Sequence, residues 1–218
     1  MLKTHELYDL CHSLSGTYLS RFEYPWQALS GIKDLILNLG PTLGDDYTEY
    51  SPTVWVHKTA IIAPTAFLGA PCIIGPGTEV RHCAFIRGSA LVGENCVVGN
   101  SVELKNVILF DNVQVPHYNY VGDSILGYMS HMGAGSVTSN IKSDKTLVTV
   151  KNGDEKMETG LLKFGAMLGD FVEVGCNSVL NPGTVIGRHS NIYPTSCVRG
   201  MVPEHSIWKT GGVIVKKT

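Results

Sequence analysis

Apolar residues recur at every sixth position from Val56 onward: Val56, Ile62, Leu68, Ile74, Val80, Ile86, Val92, Val98, Leu104 and Phe110. Two residues before each stands a small or β-branched side chain, from Val54, Ala60 and Ala66 through Cys72 and Thr78 to Val102 and Ile108. Glycine follows the apolar position at Gly69, Gly75, Gly93 and Gly99. A helix repeats every 3.6 residues and a strand every two, so a sustained period of six is neither. It predicts short strands joined by turns, with one inward anchor per strand. Three strands make a coil of 18 residues, and stacked coils make a β-helix.

The frame breaks over residues 111–119 (DNVQVPHYN), where Pro116 stands in an anchor's place. It restarts at Val121-Gly122, slips by one at Leu126-Gly127, and runs through Met132-Gly133 to Thr138-Ser139-Asn140. A break between regular flanks marks a place where a rigid scaffold can carry binding groups. Residues 142–161 lose the period altogether. There 146–150 reads as a strand, 151–155 as a turn with the hairpin signal Asn152-Gly153, and 156–159 as the return. This hairpin is an expected arm, reaching toward a neighbouring subunit. Leu162, Leu168, Val174, Leu180, Ile186, Ile192 and Val198 then restore the count of six.

Before the repeats, residues 4–15 predict a short helix with a stripe of Leu7, Leu10, Cys11 and Leu14. Pro25 opens a second short segment. Ile32, Leu35, Ile36 and Leu39 give a clearer helix stopped by Gly40-Pro41. These helices are expected to cap the open first coil, with residues 45–52 as a polar turn. The organisation is therefore a helical cap over 1–50, a β-helix over 51–201 with the insertion at 142–161, and a tail over 202–218. The tail contains a final strand at 213–215.

Composition narrows the class. The chain has 218 residues, 44% hydrophobic and 17% charged, with a formal charge of −2. That describes a globular chain without the basic tract that nucleic acid requires. The start MLKTHELYDL lacks the pattern of a signal peptide, and no apolar stretch is long enough for a bilayer. A cytoplasmic protein with neither membrane nor nucleic acid as partner is expected. The six cysteines form no close metal-binding pair. Cys72 and Cys96 occupy small-residue positions, which predicts burial, and free thiols are expected throughout.

The candidate chemistry is a set of polar residues in and around the broken segment. Arg87 and Lys105 each follow an anchor and stand 18 residues apart, one coil. They should meet at one edge, where two cations could hold a phosphate, or remain ordinary surface charge. His117 can take a proton from an attacking amine or hydroxyl, or serve as a plain hydrogen-bonding residue. Tyr120 and Asn140 can orient a sugar or stabilise charge on a carbonyl. The amide of Ala134 in Gly133-Ala134-Gly135 can supply an oxyanion contact.

The sixfold pattern resembles the hexapeptide-repeat proteins. The resemblance implies a left-handed parallel β-helix, usually a homotrimer; with the short N-terminal helices and inserted β-hairpin read above, the expected fold is all-β, a single-stranded left-handed parallel β-helix. Residues 85–140 more closely resemble the acetyltransferase domain of the bifunctional enzymes that acetylate glucosamine 1-phosphate and transfer UMP to the product. On that resemblance Arg87 and Lys105 hold the sugar phosphate, and His117 and Tyr120 are the catalytic and substrate residues of an H-x-x-Y element. Ala134 binds the acyl oxygen, and Asn140 is the substrate asparagine.

His131 stands where the family has asparagine, Ile141 where it has tyrosine, and Ser136 where it has threonine. Lys142 and Lys145 lie near the place of a further substrate lysine. The stretch KFGAMLGDFVEVGCNSVLNPGTVIG resembles the β-helical domains of sugar-phosphate nucleotidyltransferases, whose large nucleotide-binding domain has no counterpart in residues 1–50. The resemblance thus implies an acyltransferase using acetyl-CoA or another acyl-CoA, acting on a sugar phosphate or nucleotide sugar, with a separate nucleotidyltransferase as an associated protein. Two alternatives stay open: a noncatalytic sugar-phosphate or nucleotide-sugar binding module, and a zinc site of the carbonic anhydrase type from His82, His117, His131 and His189. The close histidine pair of that last group is missing.

Overall fold

A computed structural model describes residues 1–217 of the chain; Thr218, the end of the expected tail, lies outside the described residues. The repeats form a parallel β-solenoid, a left-handed β-helix of three faces. On the first face Val54–His57 pairs with Cys72–Ile74, which pairs with Ala90–Val92. The second face begins with Ile61–Ile62, Glu79–Val80 and Val97–Asn100, and the third with Phe67–Leu68 and Phe85–Ile86.

The anchors Ile74, Ile86, Val92, Val98 and Leu104 are fully buried in the shared core. Corner after corner places a left-handed residue just before the small one. Gly77 (φ 63°) precedes Thr78, Asn95 (φ 51°) precedes Cys96, and Asn177 (φ 55°) precedes Ser178. Glycine and asparagine reach that region cheaply, so the corner chemistry and the sixfold count have one cause.

The frame changes one corner earlier than the spacing predicts. Val107, Ile108 and Leu109 stand in register with Ala90, Leu91 and Val92, so Leu109 and not Phe110 is the anchor. Likewise Val115 pairs with Val98, and Pro116 replaces no anchor. The shortening lies in the edge between the third and first faces. There Leu104 is followed after five residues by Leu109, and Val121 after five by Leu126. Glu103–Leu109 and Tyr120–Leu126 each run as one strand bent across that edge. The insertion leaves the coil at this same edge, after Thr138, and the coil resumes at Ala166–Leu168. Leu162, expected as the resuming anchor, is exposed outside it. Two faces and two edges keep strict time, and every irregularity falls on one edge.

The N-terminal segment does not cap the end. Residues 4–15 break into Thr4–Leu7 and Leu10–His12, while Ile32–Leu39 forms as predicted. These pieces lie along the outside of the first face: Tyr8 donates to the Ile125 carbonyl at 3.3 Å, and Asp170 takes the Asp9 amide at 2.7 Å. The cover explains why strands of this face, such as Cys72–Ile74 and Ala90–Val92, are apolar at every position. Both their sides are buried. The open end is closed instead by Tyr47–Ser51, antiparallel to Val54–His57, in the stretch expected to be a turn. At the other end Ser206–Lys209 extends the second face beyond the expected boundary at 201, and Val213–Lys216 pairs with it antiparallel.

The hairpin forms from Thr149–Asn152 and Glu155–Glu158, a register that leaves Gly153-Asp154 as its loop. It is not a free arm at its base: Val148 and Val150 are fully buried.

Candidate functional site

The irregular edge gathers polar side chains. Lys105 sits beside Gly122 in the register of the two bent strands. Its Nζ lies 2.9 Å from Oδ1 of Asp123, which is buried and also accepts from Asn106 Nδ2 at 2.9 Å. The other oxygen of Asp123 accepts from Asn140 Nδ2 at 2.5 Å. Asn140 also reaches the Tyr120 hydroxyl at 3.2 Å. Burial raises the Tyr120 pKa, with Asp123 and Glu103 adding to the effect, so its hydroxyl stays protonated and can donate outward.

Arg87, one rung below Lys105, forms an ion pair with Glu103 at 2.7 Å, a contact that raises its pKa. Gly122 makes the arrangement fit. A Cβ there would stand 2.5 Å from the Tyr120 hydroxyl and 2.9 Å from Asn140 Nδ2.

The opposite edge of the third face carries the second group. His117 ends the strand Gln114–His117 with an exposed ring that has no hydrogen bond among the described residues. Its backbone is fixed: its amide donates to Asn119 Oδ1 at 3.1 Å, and its carbonyl accepts from the Gly135 amide at 3.1 Å. That last bond stacks the Gly133-Ala134-Gly135 turn on the histidine. The amides of Gly133 and Gly135 are both engaged, while Ala134 donates to no acceptor among the described residues. Below, Gly99 lets the chain approach, since a Cβ there would lie 1.6 Å from the Pro116 carbonyl oxygen. A cavity of about 460 Å³ opens beside this turn, with Gly133, Cys176 and Tyr193 in its wall.

The structure therefore brings Arg87, Lys105, Tyr120 and Asn140 together at one edge, and His117 with Ala134 at the other. Two expected members lie apart from the sugar-orienting edge. His131, on the second face, pairs with Glu173 at 2.8 Å, and both line the 460 Å³ cavity beside Gly133. Lys142 has moved into the insertion, where it binds Thr146 and Asp144. Nor do His82, His117, His131 and His189 share a site: His82 binds Thr65 at 2.9 Å, and His189 stacks on Phe171 and His205. Among the described residues, the one group with metal-ligand spacing is Asp9, Cys11 and His12.

Residues 80–202, more than half of the chain, match the family of the GMPPB C-terminal domain. The chain belongs to this family. The bifunctional protein GlmU of Methanococcus vannielii is 29% identical over 100% of this chain, which covers 52% of that relative. The bifunctional sugar-1-phosphate nucleotidylyltransferase/acetyltransferase of Sulfurisphaera tokodaii is 33% identical over 95 residues, 44% of this chain and 24% of the relative. The chain thus spans about half the length of the first and about a quarter of the second. Among solved structures, the polySia-specific acetyltransferase NeuO has a TM-score of 0.48 at 12% identity, over 72% of this chain and 80% of its own.

Sequence reasoning missed Asp123, the carboxylate on which this edge is built. A signal was present: Asp123 stands 18 residues after Lys105, as Lys105 does after Arg87. It is also the one ionisable side chain in Tyr120–Leu126 besides Tyr120 itself. With a φ of 47° it is the left-handed residue of its corner, a conformation open to aspartate. Its corner role and its charge role coincide.

Proposed function

We propose that the chain is an acyl-CoA-dependent N-acyltransferase acting on an amino sugar that carries a phosphate or a nucleotide. The observation carrying this reading is the pairing of two half-sites across one face. Cations and sugar-orienting groups occupy one edge, and an unengaged histidine with a free backbone amide occupies the other. The match of the whole chain to a protein named bifunctional GlmU supports the same reading.

In the mechanism the phosphate displaces Glu103 from Arg87 and draws on Lys105, while Tyr120 and Asn140 hold the sugar ring. The amine then faces His117, whose ring accepts the proton as nitrogen attacks the thioester carbonyl. The Ala134 amide donates to the developing oxyanion. Collapse of that intermediate breaks the C–S bond, and the proton held by His117 passes to the departing sulfur, so coenzyme A leaves as the thiol. The thioester arm lies in the cavity beside Gly133 and Cys176. A homotrimer is part of this reading, since each half-site in a single chain is open to one side.

The test is release of free coenzyme A from acetyl-CoA with glucosamine 1-phosphate, followed with a panel of nucleotide-linked amino sugars. Release that vanishes in His117→Ala supports the reading. Binding of the phosphosugar with no release for any acceptor would make the protein a sugar-phosphate binding module instead.

A further inference from the structure

Higher on the edge that carries Arg87 and Lys105, the insertion closes a second pocket of about 400 Å³ against the coil. Arg199 lines it and follows the third-face anchor Val198, as Arg87 follows Ile86 and Lys105 follows Leu104. From Lys105 the edge rises through Gly122, Ser139 and Asn181 to Arg199. Four rungs at ~4.8 Å place the two cations about 19 Å apart, too far for one phosphate group to touch both, while Ser139 and Ile141 of the pocket wall flank Asn140.

Three cations face this pocket: Arg199 from the coil, and Lys142 and Lys151 from the insertion. Arg199 and Lys151 have no side-chain partner among the described residues. The one carboxylate in the wall, Asp144, lies 3.6 Å from Lys142, and its Oδ1 is already held by the amide and hydroxyl of Thr146 at 3.0 and 2.9 Å. The excess of positive charge is local, in a chain of net charge −2.

The pocket is also built rigidly. Val148 and Val150 anchor the insertion in the core. Gly183 (φ 81°) and Gly200 (φ 81°) let it press against the coil: a Cβ on Gly200 would stand 2.7 Å from the Lys151 carbonyl oxygen, and one on Gly183 2.8 Å from Val148 Cγ1.

We propose that this pocket binds a phosphorylated small molecule through cations of its own, distinct from Arg87 and Lys105. Arginine supplies a planar fork for phosphate oxygens, and the two lysines supply mobile charge. The volume is that of a small-molecule site and exceeds what a bare anion fills. The inference does not rest on the acyltransfer reading.

The test is calorimetric titration of the full chain with inorganic pyrophosphate, in an Arg87→Gln/Lys105→Gln background that silences the lower edge. Pyrophosphate should still bind there. Adding Lys151→Gln and Arg199→Gln should weaken it by about tenfold or more, the loss expected of two charge-assisted contacts. In the otherwise unchanged protein, Arg199→Glu alone, at an exposed position, should weaken binding and leave the circular dichroism melt unchanged. Absence of binding in the background variant overturns the proposal, as does an affinity indifferent to Lys151 and Arg199.

Discussion

At Asp123 a buried carboxylate holds Lys105, Asn106 and Asn140 at once, whereas the nearby pair of Arg87 and Glu103 lies in solvent. The two should respond differently to truncation. Asp123→Ala strands the Lys105 ammonium and two amides, and a loss of about 3 kcal/mol is expected in urea unfolding, since breaking a buried pair costs far more than an exposed one. Glu103→Ala should leave the unfolding midpoint where it is and free Arg87 for ligand.

Thiols give a second test at this scale. Burial pushes Cys72 and Cys96 up to about 12, while Cys11, Cys83, Cys176 and Cys197 are exposed. At pH 8 the exposed thiols should react with a disulfide reagent, and Cys72 and Cys96 only on unfolding. A raised folded pKa means that the stability these two thiols lend is complete below about pH 9 and is lost as the pH climbs toward 12. A thermal melt followed from pH 8 to 11 should fall accordingly. Their burial was legible from the sixfold count alone. The role of Asp123 was not, because a count of inward anchors says nothing about the residue that turns the corner.

Among the elements, the second face and its strict edges could be read from spacing, because one anchor per strand is all that a two-residue rung requires. The cover on the first face could have been read too. Ile73, Leu91, Ile108, Ile125 and Met167 place an apolar side chain outward on consecutive rungs, which makes sense only beneath another layer. The missed corner at Lys105-Asn106 had no such signal: Leu109 and Phe110 are both apolar and both buried, so hydrophobicity could not choose the anchor.

Two substitutions probe these elements. Trp26 is buried against Tyr24 and Phe164, with ring centroids 4.8 and 5.8 Å away, and so ties the N-terminal cover to the chain after the insertion. Trp26→Ala should cost ~3–5 kcal/mol in denaturant unfolding. Gly99→Ala drives a methyl group into the Pro116 carbonyl, and the strand bearing His117 must shift to relieve it. The expected signature is faster amide exchange over residues 114–118, with coenzyme A release reduced along with it.

For the whole molecule, the layout of its sides limits how copies can meet. The first face is already covered by the chain's own N-terminal segment. The other two present apolar groups to solvent at their lower ends: Ile61 is 63% exposed, Phe67 59% and Phe85 44%, with the two phenylalanine rings 5.7 Å apart. Such residues on adjacent rungs form a continuous apolar strip, the kind of surface that a symmetric assembly buries. The two phenylalanines lie on the same face as the two half-sites, with Phe85 one rung below Glu103 and two below Tyr120. An assembly built on it would bring a second chain alongside both edges and enclose a bound sugar between them. If the proposed trimer is built on this strip, Phe67→Glu/Phe85→Glu should convert it into monomers in sedimentation velocity while the coil still melts cooperatively, because neither side chain belongs to the buried core. Coenzyme A release should fall by about tenfold or more, the scale on which loss of positioning lowers a rate. A trimer that survives the double substitution would place the interface elsewhere; monomers that turn over at the full rate would show that one chain holds a complete site.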